Sequence, residues 1–230
     1  MIDANTTLAD LVLDEPGRAD LFDRLGFDYC CRGGRTLAEA ATQRGLDLGT
    51  VVQVLEAHAV THAGPEDHDF DWRRASTAEL CDHIVDAYHE PLRRDLPRLA
   101  DTLQTVARVH GGGDPQLNDL VRVFDLLASD LLAHVEHEEE VLFPACRALE
   151  AGERSDSTAL LDRLEHDHAG VGEALLVIRD LAGGYRADAA RCGTHRALMH
   201  GLEALERDLH RHIHEENNVL FPRVRGLLAA

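Results

Sequence analysis

From residue 76 onward, apolar residues recur at helical spacing over long runs, interrupted only by short polar, Gly- or Pro-containing stretches. Four long helices are predicted. The first opens at Ser76-Thr77-Ala78-Glu79, which has the spacing of a capping box, and runs to about Val109, before His110 and three glycines. The second opens at Asp114-Pro115, a cap and first-turn pair, and closes at Gly152. The third runs from about Asp156 to Gly183-Gly184, and the fourth from about Ala187 to Leu228. Prolines 91, 97, 144 and 222 fall inside these runs. Each is expected to bend its helix or end it locally, because proline lacks the amide hydrogen and crowds the carbonyl four residues back. Four long helices with short connections predict an up-down-up-down four-helix bundle.

The N-terminal part is patterned in shorter pieces. Thr6 or Thr7 can cap a helix that stops at Pro16, and Pro16 can begin the next. A Gly-Gly turn at 33–34, a cap at Thr36 and a stop at Gly45 frame a third helix, and residues 46–60 carry a fourth. "THAGPEDHDFDW", starting at Thr61, is polar, has Gly and Pro and lacks helical period, so it reads as a linker. The chain is therefore expected to be all-α: a small helical domain over 1–60, a linker over 61–75 and a bundle over 76–230. Aromatic residues make up only 4% of the 230. The core must then be mostly Leu, Val and Ala, which favours helix packing over a β-sandwich.

Charge narrows the partners. With 42 acidic and 23 basic residues the net charge is −19, which repels phosphate backbones and argues against nucleic acid. No apolar run approaches the length of a membrane span. The first residues lack the positive-then-apolar pattern of a secretory signal, so the expected compartment is the cytoplasm. The five cysteines, an odd number, are then expected to be reduced thiols.

Histidine is abundant, at 15, and part of it is patterned. "HVEHEEEVLFP" (134–144) and "HIHEENNVLFP" (212–222) share His-x3-Glu followed by Leu-Phe-Pro. His89 precedes His134 by 45 residues, and His166 precedes His212 by 46. The second helix pair thus repeats the first, with approximate two-fold symmetry. Residues four apart on a helix project together, so His134 with Glu138, and His212 with Glu216, point to one place. With His89 and His166 this converges four imidazoles and two carboxylates in the bundle. Burying two carboxylates without counter-charge costs several kcal/mol each, so cations are expected. Each of two metals would take the two histidines of its own half, and the glutamates would bridge. The donor set suits Fe, Mn or Zn with open positions, and bundle cores with bridging carboxylates favour di-iron or di-manganese. A single copy of such a motif is as readily a solvated face; two matched copies are not. His168, two residues from His166 and on nearly the opposite side of the helix, is read as a satisfied surface or core residue, as is His214.

Five segments in order, "FDYCCRGGRTLAEAA", "DHIVDAYHEPLRRDLP", "HVEHEEEVLFP", "EHDHAG" and "HIHEENNVLFP", resemble the di-iron iron–sulfur cluster repair proteins. That family carries a short domain with vicinal thiols before a hemerythrin-like bundle. The resemblance implies two non-haem iron ions joined by an oxo or hydroxo bridge and held by His89, His134, Glu138, His166, His212 and Glu216. It further implies restoration of clusters damaged by nitric oxide or peroxide through supply of iron, with damaged iron–sulfur proteins as clients. Cys30 and Cys31 match the family's thiols, for handling iron or relaying electrons. Asp130 and Glu165 match acids lining an access route, although Asp130 is a shorter arm than the family's Glu, and His168 is not part of the family pattern. The competing readings are a module that binds or senses oxygen or nitric oxide and a di-iron nitric oxide reductase. Either a monomer or a homodimer is compatible. Cys81, Cys146 and Cys192 are expected to be packing residues.

Overall fold

A computed structural model describes residues 2–61, 70–153 and 157–229. Among these the chain is helical, with one isolated antiparallel bridge, between Thr7 and Thr36. The small domain comprises α1 (Leu8–Asp14), α2 (Arg18–Leu25), α3 (Leu37–Arg44) and α4 (Leu48–Thr61). Thr7 caps α1 by accepting from the Asp10 amide. Thr36 caps α3 within a reciprocal box with Glu39. The bridge pins these two caps together, which fixes the C-terminal end of the loop that carries Cys30 and Cys31. α2 ends at Gly26, whose φ of 69° is a left-handed value that suits glycine.

The bundle is built of four rods. The first is α5 (Thr77–Ile84) running into α6 (Glu90–His110). The second is α7 (Gln116–His137) running into α8 (Phe143–Glu150). The third is α9 (Thr158–Leu181) alone, and the fourth is α10 (Gly193–Glu215) running into α11 (Phe221–Leu228). Ser76 and Glu79 form the expected capping box at the start of the first rod. Each rod packs on its sequence neighbours, and α6 closes the square against α10.

Three of the rods are continued through a π turn, at Val85–His89, Glu138–Leu142 and Glu216–Leu220. Each is closed by an amide bonded five residues back, from Glu90 to Val85, Phe143 to Glu138 and Phe221 to Glu216. In each case the next residue is proline: Pro91, Pro144 and Pro222. A proline cannot donate to the carbonyl four back, and the wider turn accommodates the ring without ending the rod. Pro97 lies inside α6, which continues past it to His110.

Two apolar clusters fill the structure. One joins the small domain to the main length of the bundle, through residues such as Leu8, Phe22, Tyr29, Leu131 and Leu209. The other plugs the end of the bundle, with Leu80, Phe143, Leu161 and Phe221. The small domain is docked on the fourth rod. Asp23 meets His210 at 2.7 Å, Asp20 meets Arg211 at 3.0 Å, and the Tyr29 ring stands edge-on to His214 at 5.4 Å. Of the linker expected over 61–75, residues 62–69 lie outside the described residues. Phe70 and Trp72 pack around the His83 ring, at 4.1 and 5.1 Å, and Arg223 donates to the Trp72 carbonyl at 2.7 Å. The C-terminal part of that segment is therefore held on the bundle.

Candidate metal centre

Between the two apolar clusters lies one polar layer. His89, His134, Glu138, His168, His212 and Glu216 converge there, and all but the partly buried His134 are buried. Their ligand atoms form two sets, each within 4.8 Å: His89, Glu138, His212 and Glu216 in one, and His134, Glu138, His168 and Glu216 in the other. Both glutamates belong to both sets, as two bridging carboxylates would. The π turns lie at this level, with His89 ending one and Glu138 and Glu216 each beginning one.

Two expectations are corrected. The third rod contributes His168, not His166, which lies exposed on α9. The buried positions of α9 are Leu161, Leu164, His168, Val171, Leu175 and Ile178. That stripe passes through 168, and helix geometry turns residue 166 about 200° away from it. The repeat did not decide between them, because His166 lies 46 and His168 44 residues before His212, each one off the 45 of the first half. The second correction concerns pairing: each set takes one histidine from each half. His89 Nε2 lies 3.2 Å from His212 Nε2, and His134 Nε2 lies 3.0 Å from His168 Nε2.

The protonation pattern suits cations. His89 Nδ1 is 2.7 Å from Glu139 Oε1, and His168 Nδ1 is 2.8 Å from Asn217 Oδ1. Those acceptors favour a proton on Nδ1 and leave Nε2 as the nitrogen turned inward, the one that would ligate an ion. Without an ion, burial opposes charge on these histidines but the two glutamates outweigh it, raising the pKa of His89 and that of His168 to about 9. The carboxylates of Glu138 and Glu216 lie 3.2–3.4 Å from Nε2 atoms. Even so, their four oxygens accept no aligned hydrogen bond among the described residues. Inward-turned nitrogens around orphaned buried carboxylates fit metal ions and little else. Burial pushes both carboxyls up and Glu216 repels Glu138, but the surrounding histidines hold both below the ordinary carboxylate range.

Aromatic rings set the imidazole planes. Phe143 stacks on His89 at 5.6 Å and 15°, and Phe221 stacks on His168 at 5.7 Å and 9°. These are the phenylalanines of the two Leu-Phe-Pro phrases, so the repeat writes ligand and support together. Tyr88 stacks on His212 at 5.1 Å and 9°, and its hydroxyl donates to Glu215, whose carboxyl burial pushes well up. Glu139, Asn217 and Tyr88 were not foreseen from sequence. The one signal for Asn217 was the break in the repeat, Glu-Glu-Glu at 138–140 against Glu-Asn-Asn at 216–218.

The remaining expected site residues lie outside this layer. Asp130 is exposed on α7, one turn before His134 on the same helical line. Glu165 is turned to Arg225, at 2.6 and 3.2 Å, and Arg225 also holds Asp162 at 2.8 Å. Cys30 and Cys31 are free thiols, 3.8 Å apart at sulfur, and Cys31 Sγ lies 3.7 Å from the His168 carbonyl oxygen. Their mutual hydrogen bond, with burial, pushes the Cys30 thiol up, and the same bond pulls Cys31 down. Cys81 and Cys146 are buried in the end cluster, whereas Cys192 caps α10, its sulfur accepting from the His195 amide at 3.4 Å. His214 is a neutral structural residue whose pKa burial pushes down to about 4.

Residues 81–224 match the hemerythrin HHE cation binding domain, and residues 4–59 match a domain of unknown function, DUF542. The chain is thus a hemerythrin-type cation-binding bundle with a separate small domain ahead of it. It is 36% identical over 219 residues to the iron–sulfur cluster repair protein YtfE of Edwardsiella ictaluri (strain 93-146), covering 95% of this chain and 96% of that one. It is also 36% identical over 216 residues to proteins of the same name from Escherichia coli O17:K52:H18 (strain UMN026 / ExPEC) and Shigella boydii serotype 4 (strain Sb227), covering 94% of each chain. The chain belongs to this family of hemerythrin-like iron–sulfur cluster repair proteins.

Proposed function

We propose that this chain binds two iron ions in the polar layer and supplies iron to iron–sulfur proteins whose clusters have been damaged by nitrosative or oxidative stress. The observation that carries the reading is the pair of buried carboxylates, each shared by two histidine pairs and each left without a proper donor. The relatives' name supplies the process. Imidazole with carboxylate, and carboxylates shared between two sets, favour iron over structural zinc, which prefers a closed tetrahedron. When bound, the ions supply Lewis-acid and redox chemistry, and the expected oxo or hydroxo bridge belongs to this proposal.

The residues of the chain have separable roles. Glu138 and Glu216 supply the negative charge. Glu139 and Asn217 fix the tautomers of His89 and His168, and Phe143 and Phe221 fix their planes. The apolar clusters on either side exclude water. Asp130, one turn outward from His134, is the acid placed to draw cations toward that histidine. Glu165 instead ties α9 to α11 through Arg225. Cys30 and Cys31 belong to the iron-handling apparatus. No helix among the described residues is long and apolar enough to cross a membrane.

A second reading has one observation in its favour. A cavity of about 240 Å³, lined by Tyr88, Leu92, Leu99, Leu205 and Leu209 and also by Asp95, Arg98 and Asp208, reaches His212. It offers a diatomic gas such as nitric oxide or oxygen a partly apolar approach, for sensing or for turnover.

The deciding experiment compares metal content, near-ultraviolet absorption and restoration of a damaged cluster for the whole chain and for Glu138→Ala/Glu216→Ala. Two irons per chain, lost in the variant together with repair, are expected. Reversible gas binding without repair would replace this reading by the sensor. Nitrous oxide formation on turnover with nitric oxide would replace it by the reductase.

A further inference from the structure

The loop between α2 and α3 gathers a second kind of metal-binding chemistry. Asp28, Cys30 and Cys31 each offer a ligand atom, all within 4.8 Å of one another. The two sulfurs are 3.8 Å apart. A tetrahedral ion with metal–sulfur bonds of about 2.3 Å places its sulfurs about 3.8 Å apart, so the thiols stand at chelating distance.

The loop is built to hold them there. Asp28 Oδ1 accepts from the Cys31 and Arg32 amides at 2.9 and 3.2 Å and from the Cys30 thiol at 3.5 Å, which folds the chain back over the carboxylate and sets this oxygen at the thiols, while Oδ2 lies 3.8 Å from Arg32 Nε. At Gly33 a Cβ would lie 2.5 Å from the Tyr29 carbonyl oxygen and 2.6 Å from Asn218 Oδ1, so only glycine lets the turn close. The Cys30 carbonyl accepts from Asn218 Nδ2 at 3.0 Å and from Asn217 Nδ2 at 3.4 Å. Cys30 is buried, whereas Cys31 and Asp28 are part-exposed and border a cavity of about 250 Å³.

The geometry points to a third metal site in this chain, made by Asp28, Cys30 and Cys31, which takes a thiophilic divalent cation with a fourth position open to the cavity. Loading forms two metal–sulfur bonds and one metal–oxygen bond and releases the thiol protons to solvent; no electron moves. Its placement gives it a use. Cys31 Sγ is 3.7 Å from the carbonyl oxygen of His168, and Asn217 touches both places, accepting from His168 and donating to Cys30. A ferrous ion leaving the His134–His168 side of the layer meets this site next. That cargo role rests on the cluster-repair reading; the site itself does not.

The test is cobalt titration of the full chain with its two irons in place, under reducing, oxygen-free conditions. One further cobalt per chain should bind, with tetrahedral visible bands and thiolate charge-transfer absorption over the iron background. Cys30→Ser and Cys31→Ser should each abolish the thiolate pair signature, and Asp28→Asn should weaken binding at least roughly tenfold. All three variants should keep two irons, and Cys192→Ser, a remote thiol, should bind cobalt as the parent does. Cobalt bound equally by the cysteine variants, or no thiolate absorption from a chain whose thiols titrate as free, would overturn the site. Loss of the core irons in the cysteine variants would also overturn it, because the thiols would then be part of the first centre. A chain that binds the third ion yet fails to restore damaged clusters supports the site and removes the repair reading instead.

Discussion

The two halves of the bundle present the same ligands and support them differently. In the first, His89 is held by Glu139, a full negative charge that Arg93 grips at 2.8 Å within the bundle. In the second, His168 is held by Asn217, a neutral amide whose other end reaches the thiol loop. Only an amide can do both, since a carboxylate has no hydrogen to give Cys30. A carboxylate behind a ligating histidine makes it a stronger donor. An ion bound between His89 and His212 would therefore be the more firmly held, and one bound between His134 and His168 would lie nearer the thiols and be easier to remove. A sequence repeat can thus encode matched ligand sets with unequal supports.

The largest effect expected from breaking this arrangement is on His168. His168→Ala should lose at least one of the two irons and His166→Ala neither, as read by metal analysis; the reverse result would restore the ligand set expected from spacing. Next come the two supports. Glu139→Gln keeps a hydrogen-bond acceptor and removes the charge, so the two ions should become more alike in chelator-competition kinetics, with the firm one weakened on the order of tenfold. Asn217→Asp should slow removal of the other ion and raise hydrogen exchange in residues 27–33. A smaller, purely structural effect is expected at Gly33. Gly33→Ala should cost about 1–3 kcal/mol in denaturant unfolding of the small domain, because the obstructing atoms include the Tyr29 backbone.

The smallest effect concerns the docking contact between His210 and Asp23. Burial opposes charge on His210, but the Asp23 carboxylate at 2.7 Å outweighs it and raises the pKa, with Glu206 adding to the rise and Arg179 opposing it. A raised folded pKa means the stabilisation is fully present below the unfolded value of about 6.5 and fades as pH climbs through the folded value. Protection of α2 amides in hydrogen exchange should fall over that window. Asp23→Asn should shrink or reverse this dependence, because burial then opposes the charge with only Glu206 left to favour it.

Much of this was legible in the chain because helices carry their period openly. The capping box at Ser76, the stops at Gly45 and Gly152 and the doubled His-x3-Glu are local signals that the structure follows, whereas the fourth rod, expected from about Ala187, begins only at Gly193, where Cys192 caps it. What stayed hidden was long-range. His168 is distinguishable from His166 only by extending the apolar stripe from Leu161 to Ile178, since each histidine lies one residue off the 45-residue spacing of the first half. The crossing of histidine pairs between halves depends on which rods face each other, and no local pattern records that. The prolines were seen as interruptions; that the rods pass them through π turns at the level of the metals follows from packing on both sides. The docking of the small domain rests on single polar contacts such as Asp20 with Arg211, which leave no periodic trace.

The sharing of Glu138 and Glu216 between both ligand sets has a consequence for stoichiometry. Two ions bound there would divide the two glutamate charges between them, and departure of either would leave both carboxylates to the other. As far as the glutamates decide it, the first ion out would be opposed by less attraction than the second. Shared carboxylates would thus make binding anticooperative, and a half-filled layer more reluctant to give than a full one. A donor built this way would dispense one ion per encounter and keep its partner, so its layer need never stand bare of positive charge between deliveries.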